Sequence, residues 1–455
     1  MFEWIGRINH LVWGVPGIAM IVGTGLYLSA TTGFAQLRLF PEALRIFCSK
    51  LRGQKTTEGV SPIQALCTAL AATVGTGNLV GVAGAISLGG PGAVFWMWIC
   101  GLLGMVIKFA EATLAVQYRV RDGENLLAGP MYIISRGLGK KWSALAWIYS
   151  FFGVVAAFGV GNATQINAVI TGINQMQRLF GMSPSRWGNL LLGLVLAGMI
   201  LLMLLGGARR IGETAERLVP FAAIAYLLLG SAVLILRMDR IPDAFWAIVR
   251  GAFHPRAVTG GVIGSVLSAL RVGCARGVFT NEAGMGTAAI AHGTAETDHP
   301  VQQGMLGIIE VFLDTIVICT MTALVILVSG VEIPYGTDSG GVLTDRAFRK
   351  VLGSWSTVIL TGCLCSFAFA TVLGWGFYGG QCAQYLFGVG AWKYFAWIQA
   401  VAVVLSAVLD TGVIWQLAET VNGLMMIPNL IAVLLLAPVV QRLTRQYRHC
   451  KIYVP

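Results

Sequence analysis

The 455-residue chain predicts an all-α polytopic membrane protein, and three observations carry that reading. Hydrophobic residues make up 56% of the chain and charged residues only 11%, against about 25% charged in an average soluble domain. Mean hydropathy is +0.76, and runs long enough to cross a bilayer, roughly 20 residues each, recur along the whole length. Glycine, at 58 residues, exceeds the ordinary usage of about 7%, as expected where helix backbones approach closely in lipid.

Composition also excludes several classes. The net charge of +11 is scattered through short interhelical segments, with no basic face or tail of the kind that binds nucleic acid. Nine cysteines stand at irregular spacing, several inside apolar runs (Cys67, Cys319, Cys363, Cys365), and read as small packing residues. No phosphate-binding loop, nucleophile triad or metal-ligand cluster appears, so neither enzymatic chemistry, nor ATP, nor an organic cofactor is expected. Phe2, Glu3 and Trp4 precede the first run without a basic n-region, and the first helix is expected to be retained.

Apolar runs alternating with charged or Pro/Gly-rich interruptions give about eleven spans. In order they cover 8–30, 62–88, 92–118, 142–177, 187–206, 214–236, 261–292, 302–330, 355–388, 394–411 and 414–440. An odd number of spans separates the termini. The larger share of Lys and Arg, including Arg38, Arg45, Lys50, Arg52, Lys55, Arg442, Arg445 and Arg448, falls on the C-terminal side. Basic residues stay cytoplasmic, which puts the C terminus inside and the N terminus outside. The segment 237–256, with four Arg on the opposite side, is where a miscounted helix would lie.

Without the first span, ten remain as two sets of five. The expected divisions are 1–60 for an extra N-terminal helix and basic loop, 61–237 and 238–441 for two five-helix units, and 442–455 for a basic tail. Two consecutive units with an odd number of helices must be inverted relative to each other. Such repeats build secondary transporters with the binding site where they meet. The first helix of each unit is interrupted, one at Gly75-Thr76-Gly77-Asn78 and the other from Arg276-Gly277 through Glu282-Ala283-Gly284-Met285-Gly286. Opening a helix in lipid frees amide N–H groups, which suit a carboxylate, and carbonyls, which suit a cation or an ammonium group.

Polar intruders elsewhere mark further candidates. Lys108 and Glu111, three apart, are expected to form an intrahelical pair. Glu310 and Asp314, four apart and alike in charge, need other partners, for which Arg271 and Arg276 are candidates. Asn162 and Gln165 cannot both face lipid cheaply. Thr371 and Trp375 share a helix face, where a hydroxyl can ligate a hard cation such as Na+ and an indole can wall a small pocket. Phe279 and Thr280 stand where the second opened backbone faces the other unit.

The run Gly75-Thr76-Gly77-Asn78-Leu79-Val80-Gly81, followed by Leu88-Gly89-Gly90-Pro91-Gly92-Ala93-Val94-Phe95-Trp96-Met97-Trp98 and Lys108-Phe109-Ala110-Glu111, resembles the signature of the alanine or glycine:cation symporter family. Phe158-Gly159-Val160-Gly161-Asn162, Thr280-Asn281-Glu282-Ala283-Gly284, Thr297-Asp298-His299-Pro300, Thr371-Val372-Leu373-Gly374-Trp375 and Asn422-Gly423-Leu424-Met425 follow in the family's order. The matches run from about residue 60 to 435.

The resemblance implies a leucine-transporter-like fold, a 5+5 inverted repeat plus one helix, and Na+-coupled symport of alanine or glycine in a bacterial inner membrane, with no obligate protein partner. It implies that Gly75, Thr76, Gly77 and Asn78 line the substrate site, with amides toward the carboxylate and carbonyls around Phe279 and Thr280 toward the ammonium. Gln165 and Trp375 correspond to pocket positions, and carbonyls of Ala71 and Val74 with the Thr371 hydroxyl to a sodium site. Ala163-Thr164 replaces the more usual Met-Val before Gln165, and Thr280 stands where Ser is common, so both changes touch substrate range. Rival readings are an H+-coupled carrier using Glu282 or Asp314, an amino-acid channel, and a membrane enzyme built on the Glu, His and Arg of 276–299.

Overall fold

A computed structural model describes residues 2–51, 59–123, 125–263, 265–338, 340–409 and 412–452. Arg52 and Lys55, counted above toward the cytoplasmic side, lie outside the described residues. Among the described residues, eight continuous helices are long and apolar enough to cross a membrane, and two bent helix pairs pass the same test.

The chain opens with α1 (Phe2–Val12) and α2 (Val15–Thr32), separated at Trp13 and Gly14 inside the first apolar run, and continues into the amphipathic α3 (Phe40–Leu51). The next helix, α4 (Pro62–Thr73), starts at a capping box: Ser61 Oγ accepts from Gln64 N–H at 3.1 Å, and Gln64 Oε1 accepts from Ser61 N–H at 3.0 Å. It stops at Val74, whose ψ of 98° is extended, and α5 (Gly77–Gly89) resumes after a 47° bend. Helix α6 (Gly92–Tyr118) matches its expected limits and leads into a small hairpin, β1 (Val120–Asp122) against β2 (Asn125–Leu127). Three long helices follow: α7 (Lys140–Leu179), with a π turn at Gly159–Ala163, then α8 (Arg186–Leu205) and α9 (Gly207–Leu236).

The Arg-rich segment after α9 holds α10 (Ile241–Phe253). At 13 residues, and about 1.5 Å of rise each, it is too short for a hydrocarbon layer of about 30 Å. It buries Ala244, Ile248 and Ala252 and exposes Phe245, Trp246, Val249 and Phe253, with Asp243 and Arg250 as its charged residues. The run expected at 261–292 is likewise divided. Helix α11 (Val266–Asn281) ends at Glu282 and α12 (Thr287–His292) begins after Gly286. The remainder comprises α13 (Pro300–Ser329), α14 (Gly340–Leu352), α15 (Ser356–Phe387), α16 (Ala391–Val408), α17 (Gly412–Leu435) and α18 (Ala437–Ile452).

Burial sorts the helices. Phe221, Leu228 and Ile235 on α9, each seven residues apart, are about two-thirds exposed and form a stripe that needs an apolar solvent. By contrast α6 and α13 are buried along most of their length and pack against each other through glycines. A Cβ on Gly304 would come 2.2 Å from Thr113 Oγ1, and one on Gly307 3.1 Å from the Lys108 carbonyl. The small residues permit the close contact that places Lys108 beside Glu310.

Candidate functional site

Two breaks face each other inside the bundle. At the first, the N–H of Gly75, which in a continued helix would bond the carbonyl of Ala71, donates instead to Asn78 Oδ1 at 2.9 Å. The Asn78 amide in turn donates to Asp314 Oδ1 at 2.7 Å and more weakly to the Asp314 carbonyl at 3.3 Å. Asn78 is wholly buried and its side chain is a strut that fixes the opened backbone against α13. Asp314 also accepts from the Thr315 hydroxyl at 2.9 Å, and Thr315 Oγ1 accepts from the Asn281 amide at 3.0 Å. One chain of hydrogen bonds therefore links the first break to the end of α11.

At the second break Glu282 adopts φ 53°, a left-handed conformation that costs a non-glycine residue free energy, and Gly284 and Gly286 follow with φ 92° and 77°. Asn281 Oδ1 accepts from Ala283 N–H at 2.9 Å, closing the turn. The peptide of Gly284 is gripped from both sides: its N–H donates to Glu111 Oε1 at 3.0 Å, and its carbonyl accepts from the Asn429 amide at 2.8 Å. Glu282 Oε1 accepts from the Trp375 indole N–H at 3.0 Å, and Oε2 from the Thr287 hydroxyl at 2.6 Å. The second break is thus tied to α6, α15 and α17.

These contacts correct two expectations. Lys108 does not pair with Glu111; it forms an ion pair with Glu310 on α13 at 3.3 Å, and Glu310 also meets His292 Nε2 at 2.8 Å. Glu111 goes to Gly284 because an opened backbone in a dry interior must have its N–H accepted. Nor do Arg271 or Arg276 serve Glu310 or Asp314. Arg276 lies between Asp338 and Glu419, at 3.3 Å from each, in a half-buried position.

Around Gly75 the remaining candidates converge. A Cβ built there would stand 2.7 Å from Thr371 Oγ1 and 3.4 Å from Gln165 Oε1, so only glycine leaves room between them. The Thr371 hydroxyl is 2.9 Å from the Ala71 carbonyl oxygen and 3.0 Å from that of Phe367. Gln165 follows the π turn of α7, and its Nε2 is 3.3 Å from both the Val160 carbonyl and Thr164 Oγ1. Its Oε1 is buried and accepts nothing, and an orphaned acceptor facing opened backbone is the mark of a missing donor. Trp375 is fully buried, with Gly161 so close that a Cβ there would fall 2.2 Å from the Trp375 Cβ.

The other expected residues divide. Gly77 packs on Thr280, whose Cγ2 lies 3.1 Å from the position a Gly77 Cβ would take, so the two breaks touch directly. Thr280 is buried and donates its hydroxyl to the Gly277 carbonyl at 2.8 Å. Thr76 lines a cleft of about 170 Å³ with Asn167, Thr171 and Thr361. Phe279 points the other way, toward Trp13, with ring centroids 6.3 Å apart. Val74 is buried at the end of α4, where the last carbonyls have no intrahelical partner. Sequence reasoning passed over Asn429, which holds both Glu111 Oε1, at 2.6 Å, and Gly284; an amide beside Pro428 in an apolar run was the available signal.

The oxygen set fits a small hard cation: one carbonyl released from its helix and one hydroxyl, both buried. The orphaned Gln165 oxygen fits an N–H donor such as an ammonium group.

The family model described as "Sodium:alanine symporter family" matches residues 1–453. The Sodium/alanine symporter AgcS of Methanococcus maripaludis is 40% identical over 452 residues, covering 98% of this chain and 97% of its own. An uncharacterized transporter of Haemophilus influenzae is 43% identical over 451 residues, covering 97% and 95%. Among solved structures, the crystal structure of MhsT in complex with L-phenylalanine superposes with a TM-score of 0.55 at 14% identity, covering 86% of this chain and 99% of that one. That likeness shows a shared leucine-transporter-like fold.

Proposed function

Because the chain belongs to the sodium:alanine symporter family, we propose that it is a secondary active transporter that carries a small neutral amino acid, alanine or glycine, into the cell together with Na+. It is a transporter and no enzyme. The observation that carries the reading is the convergence at Gly75 of a cation-compatible oxygen pair, Ala71 O and Thr371 Oγ1, with the unpartnered Gln165 Oε1.

Counting the divided helix 266–292 as one span brings the total to eleven, and the two breaks then open the first helix of each five-helix unit, 61–237 and 238–441. Their contact through Gly77 and Thr280 supports an inverted repeat with its site at the meeting point. Na+, held by the carbonyls of Ala71 and Val74 and by the Thr371 hydroxyl, ties α4 to α15. Gly75, Thr76 and Gly77 then present a fixed backbone to the carboxylate, while Asn78 holds that backbone open through Gly75 N–H and Asp314. Gln165 Oε1 and the end carbonyls around Phe279 and Thr280 receive the ammonium, and Trp375, fixed by Glu282, limits side-chain size. The cation reduces the ordering cost of substrate binding, and by reciprocity the substrate tightens Na+ binding. Rocking of one unit against the other exposes the site to each face in turn. Lys and Arg distribution supports an outer N terminus and inner C terminus in a bacterial inner membrane.

The test is uptake of labelled alanine and glycine into proteoliposomes under an inward Na+ gradient, with K+ and proton gradients as controls. Concentrative uptake only with Na+ supports symport; flux without accumulation would identify a channel and sink the proposal. A second reading is favoured by one observation: Asp314, buried and bonded to Asn78, has no Lys, Arg or His paired with it among the described residues. A proton there would substitute for Na+ in coupling, and uptake driven by a pH gradient in Na+-free buffer is its signature.

A further inference from the structure

The C-terminal helix α18 returns to the end of α2, where Gln441 donates its amide to the Thr31 carbonyl at 2.9 Å, across 410 residues of sequence. It turns 56° from the apolar part of α17, packs on α2, α6 and α13, and buries Val440, Leu443, Thr444 and Tyr447. Its other face carries Arg442, Arg445 and Arg448, three residues apart and all exposed. Arg38, at the end of the short helical turn Ala35–Arg38 that follows α2, comes up against this row. It donates to the Thr32 carbonyl at 3.1 Å, and Arg448 acts on it as a like charge.

Like charges repel, so guanidinium groups gathered in this way call for an anion between them. None of Arg38, Arg442, Arg445 and Arg448 forms an ion pair with any described residue. Glu42, one turn beyond Arg38, accepts instead from the Tyr447 hydroxyl at 2.7 Å. Partial burial and the Arg448 charge together hold the Arg38 guanidinium below its ordinary value, the reverse of what a neutralised arginine shows. The surroundings of Arg38 are apolar and uncovered: Phe34, at a left-handed φ of 54°, and Leu37 are both more than half exposed. From there the outward stripe of α2 continues through Ala30, Leu26 and Gly23, where an added Cβ would meet nothing within 4 Å. A soluble anion on the arginines would leave Phe34 and Leu37 in water, whereas a lipid covers both. Basic groups at the end of an apolar stripe match an anionic headgroup with its acyl chain attached.

We infer that Arg38 and Arg448 form a binding site for the phosphate of an anionic membrane phospholipid, whose acyl chains lie along Phe34, Leu37 and the outward stripe of α2. The guanidinium pair takes the phosphate oxygens through charge-assisted hydrogen bonds, and Arg442 and Arg445 extend the positive surface along the headgroup plane. The bound lipid clamps α18 to α2. Because α17 runs directly into α18 and holds the Gly284 peptide through Asn429, the lipid steadies the helix that supports the second break. The site does not depend on which solute is carried.

The experiment uses the full-length protein, purified in a neutral detergent and stripped of lipid, with native mass spectrometry reporting the phospholipid retained. Dioleoylphosphatidylglycerol binds about tenfold more tightly than dioleoylphosphatidylcholine, which has the same chains and a zwitterionic headgroup. R38Q/R448Q abolishes that preference. R448Q alone, which spares the Arg38 bond to Thr32 and serves if the double variant folds poorly, removes most of it. R178Q/R186Q takes two exposed arginines from around the connection between α7 and α8 and leaves the preference intact. Equal retention of the two lipids, or a loss in R178Q/R186Q as large as in R38Q/R448Q, overturns the site, since general charge would then suffice. Displacement of the lipid by glycerol phosphate at matched concentration shows a soluble-phosphate site and overturns the lipid. A dimeric mass that R448Q converts to monomer assigns the face to a second copy of the chain and overturns it as well.

Discussion

The hydroxyl of Thr371 lies 2.9 Å from the carbonyl oxygen of Ala71, 300 residues earlier in the chain, and it does so because Gly75 N–H has been taken by Asn78. A carbonyl released by the first break is thereby offered to α15. Thr371→Ala removes one oxygen of the pair and leaves the other exposed to nothing. The expected outcome is a rise of about tenfold in half-saturating Na+, with alanine-over-glycine selectivity unchanged, and Thr371→Ser retaining wild-type behaviour. Trp375→Ala should do the reverse. Uptake titrated with Na+ and with each amino acid separates the two, and identical phenotypes would sink the division of roles.

Gly75→Ala tests the space between Thr371 and Gln165. The added methyl would be 2.7 Å from Thr371 Oγ1, and neither helix can retreat without breaking the Ala71 contact. Na+-driven uptake should be abolished while the protein still elutes as a single detergent-solubilised species. For Gly77→Ala the nearest atom to the added methyl is the Thr280 methyl, at 3.1 Å, and measurable transport should be retained.

Lys108 and Glu310 form an ion pair with no exposure to solvent. Removing one partner strands the other, a loss of roughly 3 to 5 kcal/mol. Lys108→Met and Glu310→Gln should each lower the thermal unfolding midpoint in detergent sharply. The double variant K108M/E310M should recover part of that loss, because the charged pair is removed whole. A double variant less stable than either single one would show that His292 and the rest of the network need Glu310 for a reason other than charge.

The Arg276 bridge is half-exposed, so each of its ion pairs contributes only about 0 to 1 kcal/mol. Arg276→Gln loses both pairs and should shift the equilibrium between conformations by severalfold, seen as a change in maximal uptake rate. Glu419→Gln and Asp338→Asn each leave one pair in place and should show smaller changes in the same direction. An effect of Asp338→Asn as large as that of Arg276→Gln would contradict this order.

Much of the helical architecture is legible in the sequence. Helix α6 occupies the span expected from hydropathy, residue for residue, because a long apolar run in lipid has no alternative to a continuous helix. Both breaks were marked by glycines and amides inside apolar runs, where no other composition would be tolerated. The same hydropathy reading blurred 237–256, since α10 is apolar but, at 13 residues, too short to span.

Partner choice was a different matter. The sequence by itself determined that α4 and α11 open, that Lys108, Glu111, Glu310 and Asp314 sit in apolar runs, and that Thr371 and Trp375 share a face. Only the tertiary structure decided that Lys108 meets Glu310, that Glu111 and Asn429 hold the Gly284 peptide, and that Arg276 is neutralised while Arg271 is left facing a cavity. Hydropathy and periodicity are local and report which groups cannot face lipid. Which groups satisfy one another depends on helices far apart in sequence being brought within about 3 Å, a distance that packing sets and spacing along one helix cannot encode.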